Sequence, residues 1–127
     1  MIYIWLNILP ISAATVLGLA IGALWLRASK LTATPATILA ATLAIFWLAA
    51  ILAGAVILAP PQADPWTMAL GSAFIIWIGF VAPVLTVTLS VHGEGKAATT
   101  SAAAYWLVTM LAQAALLKGM GLVAPPL

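Results

Sequence analysis

The sequence predicts an all-α membrane protein, a bundle of four transmembrane helices running up-down-up-down. Three observations predict it. The 127 residues are 66% hydrophobic and only 5% charged, whereas a soluble domain carries about 25% charged residues. The four basic and two acidic side chains, Arg27, Lys30, Asp64, Glu94, Lys96 and Lys118, leave long uncharged stretches at 1–26, 31–63, 65–93 and 97–117. Each stretch can supply the roughly 20 apolar residues that cross a bilayer core as a helix. The breaks between them are short and rich in Pro, Gly and polar residues, so consecutive helices run antiparallel. One transmembrane domain, 1–127, accounts for the whole chain.

The first helix is expected over 3–27. A secretory signal would place positive charge before a short apolar core; here Arg27 follows the apolar run, so this segment reads as a retained span. Pro10 lies near the start, where a missing N–H does least harm. Either a mild kink there or a helix that begins near Pro10 satisfies it. Lys30, Thr32, Thr34 and Pro35 make the first loop. The second helix, 36–59, carries no charge and stops at Pro60-Pro61. Asp64 before Pro65 and Trp66 reads as an N-cap with proline in the first turn of the third helix, 66–90. Pro83 deprives the Gly79 carbonyl of its donor, so a kink is expected between them. His92-Gly93-Glu94-Gly95-Lys96 is the one concentrated polar loop, and the fourth helix follows over 98–120.

Four spans put both termini on one side. Arg27, Lys30 and Lys96 lie at the opposite side, with Lys118 on the side of the termini. The positive-inside rule then places the termini outside, on the periplasmic side, and loops one and three inside. The three basic residues also suit anionic lipid headgroups, although orientation alone explains them. No clustered basic face suggests nucleic acid.

Membrane helices meet through small residues. Ala14, Gly18 and Gly22 share one face of the first helix, with Asn7 seven residues before Ala14. Ser72, Gly79, Pro83 and Thr86 align on the third helix. Ala102, Trp106, Thr109 and Gln113 align on the fourth. The second offers Ala36, Ala40 and Ala44, then Ala49, Ala50, Ala53 and Gly54. Trp47 and Trp77 fall deep and are expected to face the bundle or a partner. Asn7 and Gln113 should point inward, either bonding to each other or each to a nearby backbone carbonyl.

Chemistry is constrained by what is missing from the sequence. There is no cysteine, which removes thiol oxidoreductase, iron–sulfur and thiolate-zinc chemistry. No acidic or basic side chain falls near the middle of a span, where proton relays and counter-ions would put one. Small multidrug exporters, also four-helix chains, use a glutamate within the first helix, and 3–26 has none. His92 and Glu94 are too few for a closed metal site. No cofactor, metal or catalytic residue is expected; His92, Glu94 and Lys96 read as an interfacial loop.

Residues 18–26, Gly-Leu-Ala-Ile-Gly-Ala-Leu-Trp-Leu, and 77–85, Trp-Ile-Gly-Phe-Val-Ala-Pro-Val-Leu, precede the Glu94-Gly95-Lys96 loop and Ala104-Tyr105-Trp106-Leu107. In that order they resemble a family of small bacterial four-span membrane proteins, domain of unknown function 1761. Leu26 and Ala104 depart from its pattern, which usually has Tyr and Gly there. The polar aromatic stretch after the first helix is shortened to Ala-Ser-Lys-Leu-Thr. The resemblance implies the fold and a bacterial inner-membrane location, with no activity attached. The expected role is a non-enzymatic accessory subunit or scaffold. It would pack in a larger membrane complex, bind an apolar molecule between its helices, or associate with itself through small-residue faces. A small transporter or channel, as a single chain or a dimer, is the alternative.

Overall fold

A computed structural model describes residues 1–126. It contains four helices long and apolar enough to cross a membrane, over Ile8–Ala28, Pro35–Ile57, Pro65–Val91 and Lys96–Met120. The chain is thus built as a multi-pass membrane protein. A short α1 (Ile2–Leu6) precedes α2 (Ile8–Ala28), α3 (Pro35–Ile57), α4 (Pro65–Ile76), a π-helical segment (Trp77–Val81), α5 (Ala82–Val91) and α6 (Lys96–Met120). The first helical interruption sits at Asn7, with φ −118° and ψ 26°, just ahead of Pro10. Pro10 therefore stands in the first turn of α2, where its missing donor has no intrahelical partner to lose.

The helix ends follow local chemistry. Thr34 caps α3 by accepting from the Thr37 N–H at 3.2 Å, and Pro35 opens the first turn. Asp64 caps α4: its Oδ2 accepts from the Thr67 N–H at 2.9 Å and the Thr67 hydroxyl at 2.8 Å. These bonds to Thr67, aided by the positive charge of Lys118, hold the Asp64 carboxyl below the usual carboxylate range.

Both helices that run toward the first and third loops end in the same device. After α5, the Gly93 N–H reaches the Ser90 carbonyl at 3.0 Å and the Glu94 N–H reaches the Leu89 carbonyl at 2.9 Å. Gly93 takes φ +78°. This is the Schellman ending. After α2, the Lys30 N–H bonds the Arg27 carbonyl at 3.2 Å and the Leu31 N–H bonds the Leu26 carbonyl at 2.9 Å. Here the left-handed position is Lys30, φ 56°, the only non-glycine with positive φ among the described residues.

The core lies where α2, α3 and α6 meet. Ile11, Ala14, Ala49, Ala50, Leu52, Ala53, Met110, Ala114 and Leu117 are buried there, and Ala73 joins from α4. α2 packs most extensively on α6, and α4 also leans on α6. The third span is the peripheral one. Ala69 and Ala73 of α4 are buried, but α5 buries nothing. The aligned face expected on the third helix is therefore corrected. Ser72 is half-buried, while Gly79, Pro83 and Thr86 are exposed. Nothing lies within 4 Å of where a Gly79 Cβ would stand, and Thr86 bonds back to the Ala82 carbonyl. The π segment is the physical reason. It widens the turn, Trp77 accepting from the Ala82 N–H five residues on, and rotates later residues relative to a regular helix. The side chains turned inward then recur every four residues at Ala69, Ala73, Trp77, Val81 and Leu85.

Candidate functional site

The bundle's polar centre is a crossing point built on Gly18. A Cβ there would lie 2.5 Å from Ile45 Cγ2, 3.3 Å from Gln113 Nε2 and 3.4 Å from Thr109 Cγ2. Glycine is what lets α2, α3 and α6 close on one another at this level. Gln113, fully buried, donates from Nε2 to the Ala14 carbonyl at 3.1 Å and toward the Ile45 carbonyl at 3.4 Å. One amide thus ties α6 to both α2 and α3. Gln113 Oε1 and Thr109 Oγ1 are the buried side-chain polar atoms left without a partner among the described residues.

Asn7 and Gln113 do not meet. Asn7, 1% exposed, instead holds the chain's C-terminal tail. Its Oδ1 accepts from the Val123 N–H at 2.7 Å, and its Nδ2 donates to the Val123 and Tyr3 carbonyls, both at 2.8 Å. A single side-chain amide mimics a strand neighbour to the tail. Both described ends of the chain therefore lie at one end of the bundle. Nearby, the Tyr3 hydroxyl donates to the Ala50 carbonyl at 3.0 Å, its ring over Gly54.

At the other end, Gly22 makes room for Tyr105, whose hydroxyl would lie 2.9 Å from a Cβ at that position. Tyr105 stacks on Trp25 with ring centroids 4.6 Å apart, and the Trp25 indole donates to Ser101 Oγ at 3.0 Å. Ala102, beside this junction, is half-buried. The stacked pair lines an apolar groove of about 410 Å³ between α2, α3 and α6, with Leu19, Gly22, Ala33, Ile38 and Ile45 also among its walls. Neither Trp25 nor Tyr105 stands out as a site residue from the sequence. The signal was the spacing of Gly18 and Gly22: a glycine on a packing face either admits a helix backbone or receives a ring.

A second crevice, about 490 Å³, separates α3 from α5, with Trp47, Phe80, Val84 and Trp106 on its walls. Trp47 is 51% exposed and Phe80 71%. Trp77 is tied inward, its indole donating to the Ala103 carbonyl at 2.9 Å.

The His92–Lys96 loop is accounted for by its backbone. Gly93 supplies the left-handed ending of α5 and Gly95 is the N-cap of α6. His92, Glu94 and Lys96 are exposed. Among the described residues no group of three metal-ligating side chains comes together. No protein-family model, curated protein or solved structure matches the chain.

Proposed function

We propose that this chain is a non-enzymatic scaffold of the bacterial cytoplasmic membrane, an accessory subunit that packs its third span against a larger membrane assembly. One observation carries the reading. α5 buries no residue of its own and borders an open crevice that also exposes Trp47. A transmembrane helix of a partner, laid beside α5, would cover Phe80 and Val84 and give Trp47 the close contacts that drive helix association in lipid. The reading assigns no catalytic part to His92 or Glu94, since cap geometry explains the loop that carries them. The bacterial setting rests on the resemblance to domain of unknown function 1761. Arg27, Lys30 and Lys96 then face the cytoplasm.

The test is a photo-crosslinking residue at Phe80 or Val84, activated in native membranes. The reading expects one discrete protein adduct, matched by a partner that co-purifies at fixed stoichiometry in mild detergent. Adducts to lipid alone would refute it. A transporter or channel is the second reading, favoured by the π segment beside the same crevice, since such turns concentrate at functional sites. An adduct between two copies of the chain, together with solute movement in liposomes, would select that reading instead.

A further inference from the structure

We propose that the groove between α2, α3 and α6 is a binding site for one anionic phospholipid, with an acyl chain in the groove and the phosphate at Arg27 and Lys30. The proposal is separate from a protein partner at the third span: the two surfaces share only Trp106.

Four observations converge. The groove is apolar along its length, and Ile38 on its wall is 52% exposed, so it is reached from the bilayer. Its extent is close to one leaflet. From Thr37 to Ile45 along α3 is eight residues, about 12 Å at helical rise, against about 15 Å for half of a hydrocarbon core. Its inner end is closed. Ile45 sits against Gly18, and Gln113 bonds the Ile45 carbonyl, so a chain entering from the loop end stops at the middle of the bundle. Basic residues flank its mouth in sequence. Trp25 and Leu26 line it, Arg27 follows directly, Lys30 lies three residues further on, and Ala33 lines the groove again. Arg27 and Lys30 are both exposed, and a Schellman ending fixes the chain between them. Lys96 opens α6 at the same end, and Glu94 is the one acidic side chain there.

An uncharged apolar molecule would use the walls and leave the basic mouth idle. A zwitterionic lipid would fill the walls but gain little from two added cations. The anionic phospholipid uses both.

The experiment uses the full chain in mild detergent, equilibrated with equal phosphatidylglycerol and phosphatidylcholine, and counts retained lipids by native mass spectrometry. The wild type should retain one phosphatidylglycerol in preference to phosphatidylcholine, by about fivefold for each basic side chain engaged. Arg27→Gln with Lys30→Gln should abolish the preference, and these exposed changes leave the core untouched. Lys118→Gln, at the opposite end, should keep it. Ala41→Phe should fill the groove and lose the retained lipid of either kind. Equal retention of the two lipids by the wild type overturns the proposal. So does a preference that survives the double substitution, or one that Lys118→Gln removes equally. Unchanged retention in Ala41→Phe would place the lipid elsewhere and also overturn it.

Discussion

Lys30 occupies a backbone position that costs an L-residue roughly 1–2 kcal/mol, while the matching position after α5 is filled by Gly93. The two loop-side helix endings are otherwise the same hydrogen-bonded motif. Lys30→Gly should therefore stabilise the protein by about 1 kcal/mol, read as a raised midpoint in thermal or denaturant unfolding in detergent. The same change should lower phosphatidylglycerol retention, so stability and lipid preference move in opposite directions at one residue. Asp64 gives a pH dependence. Its carboxyl is held low chiefly by the bonds from Thr67. A depressed pKa means that the folded state favours the carboxylate. The stabilisation is present above the ordinary aspartate value of about 3.9 and disappears as pH falls through the lower folded value. Acid unfolding of Asp64→Ala should lack this step, with the start of α4 exchanging its amides faster at neutral pH. The Asp64 cap was legible in the sequence, because Asp64-Pro65 is local chemistry, whereas Thr34 read only as part of the first loop and the structure adds its cap on α3. Lys30 was not, since only the hydrogen bonds that close the motif reveal a left-handed lysine.

At the scale of the helix, glycine means opposite things in two spans. Gly18 is a crossing point, with Ile45 where its Cβ would go, and Gly79 faces open space. The Ile45 atom in the way belongs to a β-branched side chain with little freedom to turn aside. Gly18→Ala should destabilise by about 1–3 kcal/mol through overpacking, despite the helix propensity it gains. Ile45→Ala in the same chain should recover part of that loss, so a double-mutant cycle should show coupling. Gly79→Ala should be neutral or stabilising by less than about 1 kcal/mol, measured in the same unfolding assay. A loss at Gly79 equal to that at Gly18 would contradict the packing described. Periodicity exposed the first face because α2 is regular from Ala14 to Gly22. It failed on the third span because the π segment changes the count of residues per turn, and only the backbone shows where that happens. Pro83 signalled a disturbance without giving its form.

For the whole molecule, the amide of Asn7 links the first turn of the chain to its last described residues, which are 116 positions apart in sequence. A helix bundle with short connections leaves its two ends free to fray. Here one buried side chain closes the ring, and Leu122 packs on the core beside it. Composition shows none of this: an asparagine near a helix start is usually a cap, and the tail residues Val123 and Ala124 offer only backbone groups. Asn7→Ala removes three hydrogen bonds and strands the Val123 amide, and should cost about 1–3 kcal/mol. Truncation after Gly121 strands the Asn7 side chain instead, at a similar cost. Because both changes break the same contact, the two together should destabilise by little more than either alone. Hydrogen exchange gives the structural readout. Amides of α1 and of the last turn of α6 should lose protection together in each variant, while those around Gly18 and Gln113 stay slow. If the two changes were additive, or if α1 kept its protection after truncation, the tail would be an unattached segment and the ends of the bundle independent.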